Sequence, residues 1–264
     1  MKLLPDDVDS PIDLDRRFGG IARLYGADAF ARLRASRVAI VGVGGVGSWA
    51  AEACARSGIG ALTLIDLDHV AESNINRQVH ALDSTLGAAK VRVMAERIRD
   101  IDPHCVVEAI EEFVEAGNLA ALIPDGRFDG VIDAIDHVRM KTALIAHCRA
   151  QGTPLITIGG AGGRTDASRV RVADLAHTEH EAMLAKVRKA LRTHHGFPRN
   201  LKRSFGVTAV FSDQRSVDEE GAEQKSREGM TGLNCSGYGS AVAVTATFGF
   251  VAAGLLIDRL ARGQ

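Results

Sequence analysis

Two cations and an acidic segment follow a glycine-rich turn in this sequence, and together they indicate chemistry on a phosphate chain. Arg77 lies in a polar stretch, Lys90 follows it, and Asp133 and Asp136 come after a later apolar run. A carboxylate beside two cations suggests Mg²⁺ bridging a triphosphate, because Mg²⁺ takes one or two protein carboxylates together with phosphate oxygens. The two cations would stabilise the charge that develops on phosphate during attack.

The glycine-rich turn itself has the composition of a phosphate site. Gly42, Gly44, Gly45 and Gly47 stand between an apolar strand and an alanine-rich helix. Glycine permits a tight turn and a close approach of backbone N–H groups to phosphate, and the helix N-terminus adds positive charge. Asp66 ends the next strand, where a carboxylate can accept the ribose hydroxyls. The turn alone suits NAD, FAD and ATP, so the two cations favour ATP.

Alternating strands and helices must position these residues, which predicts an α/β fold with a doubly wound, mostly parallel Rossmann-like sheet. The predicted strands are residues 37–43, 61–66, 105–110, 128–133 and 154–158. The predicted helices lie near residues 46–57, 88–101, 118–122 and 139–151. We expect residues 1–163 to form the ATP-binding core with an N-terminal helical arm, and residues 164–264 to extend the same domain. The extension should hold short strands at 169–173 and 207–211, a helix at 179–192 and a mobile loop at 212–229.

Composition limits the class of protein. The chain has 264 residues, 46% hydrophobic content and a net charge of -1, which allows a large core and gives no global attraction to nucleic acid. Its cysteines are scattered without a C-x-x-C pair, which argues against a structural zinc and fits a reducing cytosol. The first fifteen residues lack the apolar run of a signal peptide, so a cytoplasmic protein is expected. The cysteines are Cys54, Cys105, Cys148 and Cys235.

One segment is strongly basic. Residues 182–212 contain no acid but seven cations, namely Lys186, Arg188, Lys189, Arg192, Arg199, Lys202 and Arg203. Such a patch can bind a phosphodiester backbone without a basic overall charge. A solvated helix face with a basic loop explains the same pattern, and the residues alone do not decide between the two.

The stretch from Ser240 to Ile257 has eighteen residues without a charge, which reaches the lower edge of a membrane span. Its many Ala, Gly and Thr residues suit close packing of helices. We therefore favour a buried or dimer-interface helix over a membrane segment or a peripheral association with a membrane.

Several motifs together resemble the E1-like adenylyltransferase superfamily, the enzymes that activate ubiquitin and the sulfur-carrier proteins. They are G-x-G-G-x-G, Asp66, the N-x-N-R-Q run at 74–78, Lys90 and D-A-I-D at 133–136. Three further stretches resemble its tRNA threonylcarbamoyladenosine dehydratase branch. These are R-F-G-G at 17–20, I-G-G-A-G-G at 158–163 and T-A-T-F-G-F at 245–250. The resemblance covers nearly the whole chain.

The resemblance implies an ATP- and Mg²⁺-dependent enzyme. A threonyl carboxylate of the modified base in tRNA would attack the α-phosphate of ATP, and the acyl-adenylate would cyclise with loss of AMP. In this scheme Arg77 and Lys90 act on the phosphates, Asn74 contacts them, and Asp136 is both a catalytic residue and the Mg²⁺ ligand. Asp133 would support the loop.

The resemblance also implies a homodimer, because relatives often carry R-Y-x-R-Q near the amino terminus and lend its second arginine to the partner's site. Here Arg17 matches the first arginine, Gly20 stands at the second, and Arg23 is near enough to substitute. Which of the two arginines completes the partner's nucleotide site stays open. A requirement for a monovalent cation and association with a cysteine desulfurase partner, as in some relatives, also stay open.

Two other functions remain compatible with the sequence. An adenylyltransferase for a sulfur-carrier protein shares the glycine turn and both cations, although paired zinc cysteines are missing. A thioester-forming enzyme of this kind would need a reactive thiol, for which Cys235 is the candidate in a glycine-rich stretch. A noncatalytic nucleotide-binding module would not need Arg77 and Lys90.

Overall fold

The computed structural model describes residues 12–216 and 239–264, whose strands form one sheet in the order β3-β2-β1-β4-β5-β7-β6. Neighbouring strands run parallel except β6 and β7. The strands are β1 (Arg37–Val41), β2 (Ala61–Ile65), β3 (Val106–Ile110), β4 (Gly130–Asp133), β5 (Leu155–Ile158), β6 (Val170–Asp174) and β7 (Thr208–Ser212). The helices are α1 (Leu14–Tyr25), α2 (Ala27–Ala35), α3 (Gly47–Arg56), α4 (Lys90–Ile101), α5 (Leu119–Leu122), α6 (Val138–Gln151), α7 (Ala182–His194) and α8 (Val242–Arg262). The predicted doubly wound, mostly parallel fold is confirmed.

The chain reverses direction across the sheet at β1. From β1 it continues to β2 on one side, whereas β4 pairs with β1 on the other side. In the register, Val41 lies opposite both Ile65 and Asp133, so the three strands end level with one another. Ligands of doubly wound sheets bind at this kind of switch point, outside the carboxyl ends of the strands. The glycine turn, Asp66 and the D-A-I-D segment all follow these ends.

Both faces of the sheet are covered by apolar packing. One core joins the central strands to α3, α4 and α8, and the other joins them to α6 and α7. β1, β2, β4 and β5 are buried along almost their whole length, as is typical of parallel strands covered by helices on both faces. This rigid layer fixes the loops that carry the candidate site.

Residues after 163 continue the same sheet. β7 lies parallel to β5 and is flanked by the antiparallel edge strand β6. The sequence placed Ser212 at the start of a mobile loop, which is wrong, because Ser212 ends β7 and is fully buried. The polar residues that follow it, beginning with Asp213, concealed the last residue of the strand. The rest of that predicted loop from residue 217 onward lies outside the described residues.

The uncharged carboxyl-terminal stretch forms most of α8. By length and composition α8 could cross a membrane, yet half of its apolar window is buried inside the protein. It packs against α3, and a Cβ on Gly249 would stand 2.5 Å from the Val46 carbonyl oxygen. The structure therefore places α8 as a core helix supporting the glycine turn. A role for its outer face in a dimer stays a prediction.

Gly249→Ala should push α8 away from α3 and lower stability. The added methyl would also lie 2.9 Å from the Ala50 nitrogen, so backbone rather than a flexible side chain must move. Overpacking of this kind costs about 1–3 kcal/mol. The matched control is Gly254→Ala in the same helix, which meets nothing within 4 Å and should be neutral or slightly stabilising. Urea unfolding of both variants measures the difference; equal stabilities would contradict the close packing.

Candidate functional site

The glycine turn between β1 and α3 cannot carry side chains at its two ends. Gly42 has φ 87°, and a Cβ there would stand 2.9 Å from the Ala134 carbonyl oxygen. A Cβ on Gly47 would overlap the Gly42 carbonyl oxygen at 1.8 Å. Within the described residues, the N–H groups of Gly44 and Gly45 have no hydrogen-bond acceptor. The turn thus presents backbone donors at the start of α3, the arrangement that binds a phosphate.

Asp66 follows β2 and is oriented by two backbone donors. Its Oδ2 accepts from the Val43 N–H at 2.6 Å, and its Oδ1 accepts from the Asp68 N–H at 2.9 Å. Burial raises the pKa of the Asp66 carboxyl above its ordinary value, and the nearby positive charge of Lys90 opposes that rise. Each carboxylate oxygen can accept a further bond. The carboxylate therefore lies beside the glycine turn with capacity for ribose hydroxyls.

Arg77 is brought directly to the glycine turn. Its Cγ lies 3.2 Å from the point where a Cβ on Gly45 would stand, and its Nη1 donates to the Ser73 carbonyl at 2.6 Å and to the Asn76 side chain at 2.9 Å. Trp49 on α3 donates its ring N–H to the Arg77 carbonyl at 2.9 Å. The guanidinium is therefore fixed beside the backbone donors of the turn.

Asn74 shapes the loop that carries Arg77. Its Oδ1 accepts from the Ala71 N–H at 3.0 Å, and its carbonyl accepts from the N–H groups of Arg77 and Gln78, both at 3.0 Å. The side chain is buried. In this structure its oxygen holds the turn, so the predicted phosphate contact of Asn74 would have to come from the amide nitrogen.

Lys90 opens α4 and reaches the same edge of the sheet. Its side chain is only 7% exposed, and its Nζ binds Asp68 Oδ2 at 2.8 Å. Asp68 is 58% exposed, so the ion pair lies with one partner inside and one in solvent. Because the Lys90 charge acts on the Asp66 carboxyl, the cation also lies near the ribose end of the candidate site.

The two aspartates of the D-A-I-D segment at the end of β4 lie in different environments, one buried and one exposed to solvent. Asp133 is fully buried; its Oδ2 binds Lys141 Nζ at 2.8 Å and accepts from Thr157 at 2.7 Å, and its Oδ1 accepts from the Ile135 N–H at 3.1 Å. Asp133 thus supports the loop, as expected from the sequence. Asp136 is exposed and makes no hydrogen bond or ion pair among residues 12–216 and 239–264.

A divalent cation would find one carboxylate at this edge. In the described part of the chain no group of three or more His, Cys, Asp or Glu residues could hold a metal by itself. One exposed carboxylate, Asp136, beside a phosphate-binding turn matches what Mg²⁺ takes when phosphate oxygens and water supply its remaining ligands. The residues present therefore fit Mg²⁺ bound together with a triphosphate, and they do not fit a structural metal.

Arg17 does not lie at the glycine turn of its own chain. Its Nη1 donates to the Ile101 carbonyl at 2.5 Å, at the far end of α4 from Lys90. The twelve residues of α4 span roughly 18 Å at 1.5 Å per residue. Arg17 there lines an open cavity of about 420 Å³ with Arg56 and Arg97.

Arg23, the other candidate arginine, is exposed on α1. Its Nη1 lies 3.2 Å from the point where a Cβ on Gly19 would stand.

The basic segment is mostly exposed. Five of its seven cations are exposed, namely Lys186, Lys189, Arg199, Lys202 and Arg203. The other two are partly buried and hold the fold: Arg188 donates to the Thr178 hydroxyl, and Arg192 donates to the Pro198 carbonyl at 3.2 Å and stacks on Phe205. Burial lowers the pKa of the Arg188 guanidinium. The surface available to a ligand therefore excludes Arg188 and Arg192.

Three residues near the site were missed from the sequence. Trp49 holds the Arg77 loop, and Lys141 forms an ion pair with the buried Asp133; the sequence analysis assigned neither a role. Gln78 belongs to the N-x-N-R-Q run, yet only Asn74 and Arg77 of that run were assigned roles. Its amide Nε2 lies 4.0 Å from the Cβ position of Gly44, and its Oε1 is buried without a partner in the described chain. The position of Gln78 directly after Arg77 in that run could have identified it as a site residue.

The described cysteines are unsuited to covalent chemistry. Burial raises the pKa of the thiols of Cys54, Cys105 and Cys148 to about 12 in each case. A thiolate is the reactive form, so these side chains remain protonated near neutral pH. Cys235, the candidate named from the sequence, lies outside the described residues.

The chain is similar to several known proteins over much or nearly all of its length. The ThiF family model matches residues 17–260. A tRNA threonylcarbamoyladenosine dehydratase of Haemophilus influenzae is 47% identical over 247 residues, covering 93% of this chain and 94% of that protein. The crystal structure of the E. coli tRNA N6-threonylcarbamoyladenosine dehydratase in complex with ATP has a TM-score of 0.85 at 46% identity, covering 94% of this chain and 95% of that chain. The molybdopterin-synthase adenylyltransferase of Escherichia coli is 37% identical over 137 residues, covering 52% of this chain and 54% of that protein.

Proposed function

This chain belongs to the ThiF family, and from that premise we propose that it is an ATP-dependent tRNA threonylcarbamoyladenosine dehydratase. The observation that carries the proposal is the similarity to such enzymes over more than nine tenths of both chains. The convergence of the glycine turn, Asp66, Arg77 and Lys90 on one sheet edge supplies the chemistry that such an enzyme needs.

The reaction first transfers AMP from ATP to the substrate carboxylate and then releases it. A threonyl carboxylate oxygen of N6-threonylcarbamoyladenosine attacks the α-phosphorus of ATP, the bond to the bridging oxygen breaks, and pyrophosphate leaves. The ureido group next to the activated carboxyl then attacks it, closes a ring and releases AMP, so that the base loses one water. Arg77 and Lys90 stabilise the charge on the α-phosphate and on the leaving pyrophosphate, while Asp66 holds the ribose.

We assign Mg²⁺ to Asp136, whose exposed carboxylate beside the turn fits a cation shared with phosphate oxygens. When bound, Mg²⁺ neutralises part of the triphosphate charge. The protein contributes the loop that presents Asp136, because buried Asp133 fixes the residues before it. We also propose that residues 1–163 form the nucleotide-binding core and that residues 164–264 extend the same domain.

A sulfur-carrier adenylyltransferase is the main alternative. The comparison with the molybdopterin-synthase adenylyltransferase covers only about half of each chain, whereas the dehydratase comparison covers both nearly completely. The described cysteines form no zinc cluster, and their thiols are buried. These observations favour a tRNA substrate.

Mass spectrometry of tRNA nucleosides tests the proposal. Incubation with ATP, Mg²⁺ and tRNA carrying N6-threonylcarbamoyladenosine should give AMP, pyrophosphate and a nucleoside lighter by one water. A carrier protein with a diglycine tail in place of tRNA should give no adenylated tail. Formation of that adenylate without any change in the tRNA would select the alternative, and absence of pyrophosphate in both arms would indicate a noncatalytic nucleotide-binding protein.

We further propose that tRNA docks on the exposed basic surface formed by Lys186, Lys189, Arg199, Lys202 and Arg203. The double variant Lys186→Glu/Lys189→Glu should raise the Kd for tRNA by roughly tenfold or more and lower the salt slope of binding by about 2. Arg188 is left unchanged, because it holds Thr178. Filter binding at several salt concentrations measures both quantities.

The matched control for this experiment is Arg92→Glu/Arg99→Glu, which reverses two exposed charges on α4. It has the same effect on net charge and should leave tRNA affinity nearly unchanged. ATP affinity should be the same in both double variants. Equal loss of tRNA binding in both would remove the basic surface from the proposal, since net charge alone would then explain it.

The remaining assignments concern assembly and location. We propose a cytoplasmic homodimer in which Arg17 reaches the nucleotide of the partner subunit, since within its own chain Arg17 lies at the far end of α4. Arg23 on the same helix is the alternative donor.

A further inference from the structure

A second glycine-rich loop, residues 159–163, lies at the same edge of the sheet as the candidate site. It follows β5 directly, and β5 pairs with β4, which carries the Asp136 loop. Its first N–H, that of Gly159, is held by the Val210 carbonyl of β7 at 2.8 Å. The loop is therefore placed beside the acidic segment, at the carboxyl ends of neighbouring parallel strands.

Glu181 joins this second glycine loop to the basic helix α7. Its Oε1 accepts from the Gly160 N–H at 3.1 Å, and its Oε2 accepts from the Leu184 N–H in the first turn of α7. The side chain is buried, at 7% exposure. One carboxylate thus serves as the N-cap of α7 and as an anchor for the loop. Both bonds are charge-assisted, which makes them stronger than ordinary amide bonds.

Arg164 makes a parallel connection. Its Nη1 donates to the carbonyls of Gly160 and Gly162, the latter at 3.2 Å, and its Nη2 donates to the His180 carbonyl at 3.3 Å. His180 has φ 52°, a left-handed conformation that a non-glycine residue rarely adopts. The residues just before α7 are therefore held in a fixed geometry against the loop.

The contact between Glu181 and the second glycine loop is tight. A Cβ on Gly159 would stand 3.1 Å from Glu181 Cγ and 3.2 Å from Leu184 Cδ1, and one on Gly160 would stand 3.2 Å from Glu181 Oε1. Backbone and carboxylate are in direct contact, so a shift of α7 must move the loop as well. Lys186 and Lys189, exposed on the same helix, belong to the proposed tRNA surface.

We propose that Glu181 is a positioning residue that couples docking of RNA on α7 to the geometry of the second glycine loop. The coupling rests on the proposed function. RNA phosphates bound to the basic surface fix α7, and Glu181 then holds the Gly160 backbone where the acyl-adenylate forms and cyclises. Glu181 itself touches neither ATP nor the modified base.

The variant Glu181→Asp separates the two roles of the carboxylate. Aspartate is a good N-cap and keeps the bond to Leu184, but it is one methylene too short to reach the Gly160 N–H as well. A small misplacement of a site costs up to about a hundredfold in rate, so kcat for tRNA dehydration should fall about tenfold to a hundredfold. The Kd values for tRNA and ATP should stay within about twofold of wild type, giving a loss in kcat rather than in binding.

Glu179→Asp is the matched control, because Glu179 is exposed two residues earlier and its shortening should leave kcat unchanged. Gly160→Ala probes the same contact from the loop side and should show the same loss in kcat. It takes the place of Glu181→Asp in the test if that variant does not fold. Wild-type turnover in a folded Glu181→Asp variant overturns the coupling. So does a joint loss of kcat, tRNA affinity and thermal midpoint, which would indicate a purely structural role. A wild-type protein that forms no dehydrated nucleoside overturns the proposed function first, and the coupling with it.

Discussion

Arg77→Ala should lower kcat/KM for AMP formation by about 10²–10³, the range found when one donor to a developing oxyanion is removed. Its side chain lies against Gly45, and its Nη1 is held by Ser73 and Asn76. Arg77 is only partly buried, so its removal should cost the core little. The loss should therefore appear in the chemical step with little change in thermal midpoint. Release of AMP and pyrophosphate with modified tRNA measures it.

Arg92→Ala provides the matched control, because Arg92 is an exposed arginine on α4 that pairs with Glu111. Its turnover should equal that of wild type. The parallel change at the second cation is best made as Lys90→Met, which preserves volume at a buried position next to Asp68. Full activity in both Arg77→Ala and Lys90→Met would rule out the assigned phosphate site.

Most of the fold could be predicted from the sequence, because the patterns that indicate strands and helices involve residues close together in the chain. The alternation of apolar runs with helical segments predicted the parallel sheet, and strand ends were placed to within about two residues. The insertion of β7 between β5 and β6 was not predicted, because strand order depends on pairings between distant residues. The same reason hid the position of α8, whose composition suits a membrane or a core; only the contact of Gly249 with α3 decides.

For the candidate site, the sequence analysis identified the groups proposed to contact a ligand and missed the groups that hold them in place. Gly47, Asp66 and Arg77 carry recognisable spacing, and the structure brings them to one edge. Lys141 and Glu181 carry none, because a lysine or glutamate on a helix is ordinarily exposed. Their burial results from partners on other elements, Asp133 on β4 and Gly160 after β5. Support of this kind becomes visible only in three dimensions.

Lys141→Met should destabilise the protein by about 3–5 kcal/mol, the cost of leaving one partner of a buried ion pair without the other. Lys141 and Asp133 are both fully buried, with Nζ and Oδ2 2.8 Å apart. Lys141 Nζ also donates to the Asp133 carbonyl at 3.2 Å and to Thr157 at 3.3 Å. Methionine keeps the volume, so the loss reports charge and hydrogen bonding. Urea unfolding measures it, with exposed Lys189→Met as the control, which should be nearly neutral.

The double variant Lys141→Met/Asp133→Asn decides whether the effect belongs to the pair. Asparagine removes the uncompensated charge and can still accept from Thr157. The stability lost in the double variant should therefore be smaller than the summed losses of the two single variants, by about 1–3 kcal/mol. Additive losses would mean that Lys141 stabilises the protein without any charge pairing to the Asp133 carboxylate. Because Asp133 also holds the Ile135 N–H at the start of the loop to Asp136, a weakened pair should lower the dehydration rate even in the folded fraction. A Lys141→Met protein as stable as Lys189→Met would contradict the buried ion pair itself.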